Sequence, residues 1–387
     1  MAQHELGQYF TTNSSLQEKL VSFIHTNPSL ILEPSIGQGD LVVAVHKKNP
    51  DILFDMYEID DTIPLLPGID QADVYFDDFM TSPITTTYQC IIGNPPYVKL
   101  KGSNLYIDFT EKCFTLLAQG GELIFIVPTA FLKKTSSCKL LNRMMTEGTF
   151  THIYHPHNEK LFEGASIDVI VYRYCKDKLL PKQTLYNDKL LYITNSSGLI
   201  TFSDNDVSET SSLLSTHFDI YVGMVSGKES VFKHPEIGNI EVLNGKDQVD
   251  KYIMIDKFPS GNQAIDEWLT THKSELLSRA IRRFSEANWF EWGAPRNKEK
   301  VKASYGRDCI YIKTLTRQTE VAFVGKVMNV GGGLLILIPR KECDLGRVVE
   351  FLNSDGFKAN FLFAGRFKIG HRQLANSMVP NGMMMMV

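Results

Sequence analysis

Apolar positions in the first half of the chain follow two alternating periods. Leu16, Leu20, Phe23 and Ile24 recur at helical spacing behind Asn13-Ser14-Ser15, a capping triplet, and predict a helix. Leu30–Leu32 is a short apolar run that ends in Glu33-Pro34-Ser35-Ile36-Gly37-Gln38-Gly39-Asp40, after which Leu41–Val45 predicts a helix packing back. Strands are expected at Phe54–Ile59 and Cys90–Ile92, and a further extended stretch precedes Asp77-Asp78-Phe79. A helix is expected over 105–117, with Phe109, Cys113, Leu116 and Leu117 on one face. Beyond Gly120-Gly121 come a buried strand at Leu123–Val127 and a β-branched one at Ile167–Tyr174. This alternation predicts an α/β, Rossmann-like domain: a mostly parallel sheet with helices on both faces. Ligands of such sheets bind beyond the carboxyl ends of the strands, and the segments with special chemistry fall there.

Around Ser203–Ser215 the large apolar residues thin out and Ser, Asp, Asn and Thr take over. That stretch reads as a linker between domains at 1–210 and 216–387. Charge divides there too. Residues 1–215 carry 16 basic and 25 acidic side chains, whereas residues 216–387 carry 24 and 19. The whole chain, 387 residues at −4, hides this asymmetry, which points the second half toward a polyanion. No apolar run reaches the roughly 18 residues of a membrane span, and the N-terminus lacks a basic-then-apolar signal. Six cysteines without a C-x-x-C pair argue against a zinc or disulfide framework and suit a reduced, cytoplasmic setting. His152, His155 and His157 lack a carboxylate or cysteine at ligand spacing, so no metal is expected.

Three strand ends carry candidate chemistry. Gly37 and Gly39 let the backbone turn sharply and approach a ligand closely, although the third glycine of the dinucleotide fingerprint is missing. Glu58, roughly twenty residues further on, suits the two hydroxyls of a ribose. Asp78 and Phe79 pair a carboxylate with a ring able to clamp a heterocycle. Asn94-Pro95-Pro96-Tyr97 is the sharpest signal: the prolines fix the backbone and remove two donors. Asn94 then offers a side-chain oxygen beside the carbonyl of Pro95. Two neighbouring acceptors match an exocyclic –NH2, and Tyr97 supplies a ring for its heterocycle to stack on.

These segments resemble the γ-class amino-methyltransferases, above all the type II N6-adenine DNA methyltransferases of restriction-modification systems. Asn94–Tyr97 looks like the family's NPPY element, Glu33–Gly39 like its cofactor loop, and Gly7-Gln8-Tyr9-Phe10-Thr11 like its N-terminal G-x-Y-x-T-P segment, with Thr12 replacing the usual proline. The resemblance is strong over about residues 5–175 and looser in Val222–Phe232 and Gly365–Pro380. It implies S-adenosyl-L-methionine as cofactor, with Tyr9, Thr11, Glu33, Ser35 and Gly37 around its methionine end. Glu58 would hold the ribose with Ile59 packing beside the adenine, and Asp78 and Phe79 would contact that adenine. Asn94, Pro95, Pro96 and Tyr97 would hold the target base, with Phe162 as a second stacking aromatic. Duplex DNA is the implied substrate, a single chain the acting unit, and a separate cognate restriction endonuclease fits beside it.

In the second half, Arg279, Arg282 and Arg283 are expected on a helix, followed by Trp289-Phe290-Glu291-Trp292-Gly293. Lys228, Arg296, Arg366, Lys368 and Arg372 are the candidate DNA contacts. Gly223–Ser230 is one residue too short for a phosphate loop and has Glu229 where a hydroxyl is required. No Pro-Cys pair is present, which disfavours cytosine C5 chemistry. Methylation of cytosine N4, of RNA or of protein glutamine by the same pocket remains open, as does an inactive DNA-binding or specificity subunit.

Overall fold

A computed structural model describes residues 9–100, 103–162 and 164–384. Gly7 and Gln8 of the N-terminal segment above lie outside the described residues. Two compact units divide at Glu209 and Thr210.

The first unit is built on a ten-stranded sheet of β1 (Leu30–Glu33), β2 (Leu53–Glu58), β3 (Val74–Phe76), β4 (Tyr88–Gly93), β5 (Leu117–Pro128), β6 (Thr149–Tyr154), β7 (Val169–Cys175), β8 (Gln183–Tyr186), β9 (Lys189–Ser196) and β10 (Leu199–Ser203). Their order across the sheet is 10-9-8-6-7-5-4-1-2-3. Strands β3, β2, β1, β4 and β5 run parallel, and β7 lies antiparallel between β5 and β6. The expected Rossmann-like α/β sheet is present. The antiparallel direction of β7 departs from the parallel run beside it and is set by its pairing with β5 and β6; side-chain alternation marks the faces of a strand and not its direction.

Neighbouring residues of the central strands feed opposite cores. Leu32, Ile91, Leu123, Phe125 and Val127 face one core, with α3 (Leu105–Leu116) and α4 (Cys138–Glu147) over it. Ile31, Cys90, Ile92, Ile124 and Ile126 face the other, covered by α1 (Ser14–Ser22) and α2 (Asp40–Lys48). Asn13 caps α1 by accepting the Leu16 N–H. With both faces committed, the register of β1 against β2 and β4 is fixed. The carboxyl ends bearing Glu33, Glu58, Asp77 and Asn94 therefore line up along one edge.

The second unit contains a four-stranded antiparallel sheet in the order Phe218–Val222, Leu334–Pro339, Asp308–Lys313 and Ala322–Lys326. Short ribbons and helices surround it. Two expectations are corrected here. Ser211–Leu213, read as linker, is a strand paired with Met378–Pro380; backbone hydrogen bonding needs no apolar side chains. The arginines at 279, 282 and 283 are not helical, since the helices Gln263–Thr271 and Lys273–Leu277 end before them.

Arg279 is 8% exposed and donates to the carbonyls of Leu276, Ser226, Trp289 and Glu291. Its guanidinium carbon lies 3.7 Å from the Phe284 ring centroid. Burial lowers its pKa to about 10, which leaves it charged at neutral pH. It is an internal tie between three segments rather than a surface cation. Arg279→Met strands those carbonyls and is expected to cost about 3 kcal/mol or more. All three tryptophans (268, 289 and 292) belong to this unit, so urea unfolding followed by tryptophan fluorescence reads the loss directly; an unchanged midpoint refutes the assignment.

Candidate active site

A cavity of about 440 Å³ opens at the carboxyl edge of the first unit's sheet, a size suited to a small-molecule ligand. Its walls include Tyr9, Thr11, Glu33, Ser35, Gly37, Glu58, Ile59, Asp78, Phe79, Asn94 and Pro96, so most of the residues singled out from sequence share one space. Pro95, Tyr97 and Phe162 are not on that wall. Phe109 and Leu105 are, four residues apart on α3. In the sequence Phe109 shares one helical face with Cys113, Leu116 and Leu117. Its helical spacing from Leu105 was the available signal that this face also reaches the pocket.

The floor is a pair of carboxylates held by backbone. Glu58 accepts the N–H groups of Gly37 (2.9 Å), Ile59 (3.0 Å) and Asp60 (3.1 Å), which bridges the loop after β1 to the end of β2. Gly37 and Gly39 adopt φ of +58° and +96°, and α2 begins immediately after. A Cβ on Gly37 would lie 3.2 Å from the Phe10 ring, which packs over this turn. Glu33 is 1% exposed, and its one hydrogen bond among the described residues is from the Ser35 N–H at 3.1 Å. The Ser35 hydroxyl is buried and makes no hydrogen bond among the described residues. Burial, opposed by the Ser35 N–H and reinforced by the nearby Glu58, raises the Glu33 pKa to about 8. Burial raises that of Glu58 as well.

On the opposite wall, Asp78 accepts the Met80 N–H at 2.9 Å and fixes the turn that presents Phe79. The Lys112 ammonium donates to the carbonyls of Phe79 and Ser82 and lies 4.6 Å from the Phe79 ring centroid. Sequence reasoning missed this lysine, because a cation on a helix signals nothing until its target is known. Ile59 is 58% exposed at the cavity mouth, an apolar side chain left uncovered.

Asn94 is tied on every side. Its Nδ2 donates to the Tyr9 carbonyl (2.7 Å) and the Thr11 hydroxyl (2.9 Å), and its Oδ1 accepts the Tyr97 hydroxyl at 2.5 Å. The same hydroxyl lies 3.0 Å from the Ile126 carbonyl. Tyr97 stacks on Tyr9 and meets Phe162 at nearly a right angle. Phe162 itself is 4% exposed.

Of the candidate DNA contacts, Lys228 is ion-paired with Glu275. Arg296 and Lys368 are exposed, whereas Arg366 and Arg372 are half-buried. The segments carrying Lys228 and Arg296 lie side by side, because Val225 and Ala294 exchange two backbone hydrogen bonds. Lys368 extends along the ribbon pairing Leu362–Phe363 with Arg366–Lys368, its ammonium 4.5 Å from the Phe363 ring centroid. Among the histidines, both ring nitrogens of His155 are engaged, by Asp168 at 2.7 Å and Tyr186 at 3.0 Å. His152 bonds Thr151.

The chain is similar to several known proteins. Residues 65–162 match the Eco57I restriction-modification methylase family. Type II methyltransferase M.HincII of Haemophilus influenzae is 28% identical over 207 residues, 47% of this chain and 39% of that protein. Type II methyltransferase M.CvrRI of Paramecium bursaria Chlorella virus XZ-6E is 33% identical over 132 residues, 30% and 33% of the two chains. The chain thus spans well under half the length of these relatives. Among solved structures, the Type IIL restriction-modification enzyme MmeI, in complex with DNA, superposes with a TM-score of 0.58 over 97% of this chain and 64% of its own, at 10% identity. The resemblance to type II restriction-modification methyltransferases is borne out at the level of family and fold. No helix among the described residues is long and apolar enough to cross a membrane.

The Glu33 environment has a consequence for stability. A carboxyl whose folded pKa is raised contributes stability below its unfolded value, near 4.5, and loses that contribution as pH rises through about 8. Glu33→Gln removes this titration. The variant should melt close to wild type at pH 5 and several degrees above it at pH 9 in the ligand-free protein. Parallel melting curves across that range in calorimetry would contradict the buried-acid assignment.

Proposed function

We propose that this chain transfers a methyl group from S-adenosyl-L-methionine to the exocyclic amine of a DNA base, N6 of adenine, as the modification half of a restriction-modification system. The observation that carries the reading is that Asn94, at the end of β4, borders the same cavity as Glu33, Glu58 and Phe79. An amide acceptor at Asn94, next in the chain to the Pro95 carbonyl, thus adjoins a pocket suited to a nucleoside with a charged tail.

The residues present fit the cofactor. Buried Glu33 and the unpartnered Ser35 hydroxyl suit its ammonium and carboxylate end. Glu58 suits the ribose hydroxyls, while Phe79 and Ile59 offer apolar surface to the adenine. S-adenosylmethionine supplies the electrophilic methyl when bound. The chain supplies everything else. Asn94 Oδ1 keeps a second lone pair beyond the one given to Tyr97. It and the Pro95 carbonyl accept the two amine hydrogens, which draws the nitrogen lone pair out of conjugation and stabilises the positive charge that develops on it. The nitrogen would gain a bond to the methyl carbon as that carbon's bond to sulfur breaks, the electron pair leaving with the thioether, and would then release one proton to solvent. Tyr97 and Phe162 offer rings against which an extruded base stacks, offsetting an unstacking cost of a few kcal/mol at roughly 1–3 kcal/mol per ring.

Recognition of the duplex falls to the second unit. Its net charge suits phosphate contact, with Lys228, Arg296, Arg366, Lys368 and Arg372 as the contacting cations. A separate restriction endonuclease is the natural counterpart of such an enzyme.

The reading is tested by incubating the chain with unmethylated genomic DNA and S-adenosylmethionine, followed by modification-sensitive long-read sequencing. N6-methyladenine in one short motif is the expected result; methylated cytosine N4 would move the target base, and unmarked DNA would sink the assignment. Asn94→Ala is expected to lower kcat by about 100-fold or more. Cofactor affinity should change much less, because Glu33, Glu58 and Phe79 are untouched; equal loss of both would refute the role given to Asn94.

A further inference from the structure

The Tyr97 ring is a fixed platform, its hydroxyl held by Asn94 Oδ1 and facing the Ile126 carbonyl. Phe162 and Tyr106 meet it nearly perpendicularly, with centroids 6.1 and 6.0 Å away. Tyr9 is different. Its ring lies stacked on Tyr97, centroid to centroid 5.6 Å and inclined by 28°, and 5.9 Å from Phe162. It therefore occupies the corner between the two aromatics, beside Asn94, where a flat heterocycle presenting an amine to Oδ1 would have to sit.

How Tyr9 is attached matters as much as where it lies. Its carbonyl accepts from Asn94, and the neighbouring Thr11 accepts from Asn94 and is held by Gln17. Phe10, between them, packs over the Gly37 turn. The backbone of this segment is thus pinned to the cavity wall, whereas the Tyr9 ring is held by stacking and its hydroxyl makes no hydrogen bond among the described residues. Rotation about the Tyr9 side-chain torsions can clear the corner while the Asn94 contacts stay in place.

We infer that the Tyr9 ring is a built-in stand-in for the target base, closing the stacking corner in the free protein and rotating out when an extruded base enters. This rests on the function proposed above. The entering base exchanges one ring stack for another, so stacking alone does not favour it. Asn94 Oδ1 accepts from Tyr97 and not from the Tyr9 hydroxyl, whereas an exocyclic amine brings two donors, one for Oδ1 and one for the Pro95 carbonyl. A planar base with an exocyclic amine displaces the tyrosine, and one without it gains no such bonds. Tyr9 thereby acts as a selectivity gate beside the two acceptors.

The test uses the full chain, with S-adenosylhomocysteine saturating the adenosine subsite at Glu58 and Phe79, and free deoxyadenosine, titrated by ligand-observed NMR in wild type, Y9F, Y9A and Y9A/Y97A. Y9F keeps the ring and should bind as wild type does. Removal of a competing stack should make Y9A bind roughly tenfold more tightly, about 1.4 kcal/mol. The gain should vanish in Y9A/Y97A, which places it on the Tyr97 face. If Y9A does not fold, Y9L retains bulk without a stacking face and carries the same comparison. Equal binding by Y9A and wild type, or a gain that survives loss of Tyr97, overturns the gate. Transfer of labelled methyl to genomic DNA by wild type is measured in parallel. Its absence refutes the methyltransferase reading, whereas transfer with no Y9A effect refutes only the gate.

Discussion

Burial of the central strands on both faces is the constraint from which the site follows. Ile31 and Leu32, Cys90 and Ile91, and Ile124 and Phe125 point alternately into two cores. A shift of one residue would exchange the two sets and break both, so the register cannot slip. Because β1, β2, β3 and β4 run parallel under that constraint, their ends arrive together, and the polar residues just past them share one edge. Glu33, Glu58, Asp77 and Asn94 are brought together by the pairing of the strands they follow. Their positions follow from where four apolar runs stop.

The part of this arrangement legible in the sequence is the part written in local terms. Helical spacing in Leu16, Leu20 and Phe23, the glycines at 37 and 39, and the prolines after Asn94 each fix a local backbone, and strand alternation then orders them. What the sequence withheld depends on partners. The antiparallel direction of β7 is decided by its pairing with β5 and β6, which nothing within its own seven residues encodes. Lys112 acquires meaning only because the Phe79 turn lies under it. The Tyr97 ring, exposed in a reading of its motif, is covered by Tyr9, a residue 88 positions earlier whose contact nothing local announces.

Polar groups around the cavity are held under unequal tension. Glu58 is compensated by three backbone donors, while Glu33 has one and is entirely buried. Such an acid is costly to ionise in the absence of a cation, which is why its pKa rises. Ser35 adds a hydroxyl with nothing to bond. Both deficits lie on the same wall, and a ligand that brings an ammonium group beside a carboxylate would relieve them together. Stability withheld by these unmet groups is thus available as binding energy to such a ligand.

The second unit shows the converse problem, that charge in a sequence does not announce its use. Arg279 and Arg282 sit in the same cationic run, yet Arg279 is spent on four carbonyls, and Arg282 pairs with Glu291 and the Trp292 carbonyl. Lys228 is ion-paired as well, but at the surface, where solvent keeps such a pair weak and exchangeable. A phosphate can replace Glu275 there at little cost, whereas nothing can replace the carbonyls around Arg279 without unfolding them. What separates a recognition cation from a structural one is therefore how cheaply its present partner can be exchanged. By that criterion Lys228, whose partner is a half-exposed carboxylate, is exchangeable, and Arg279 is not.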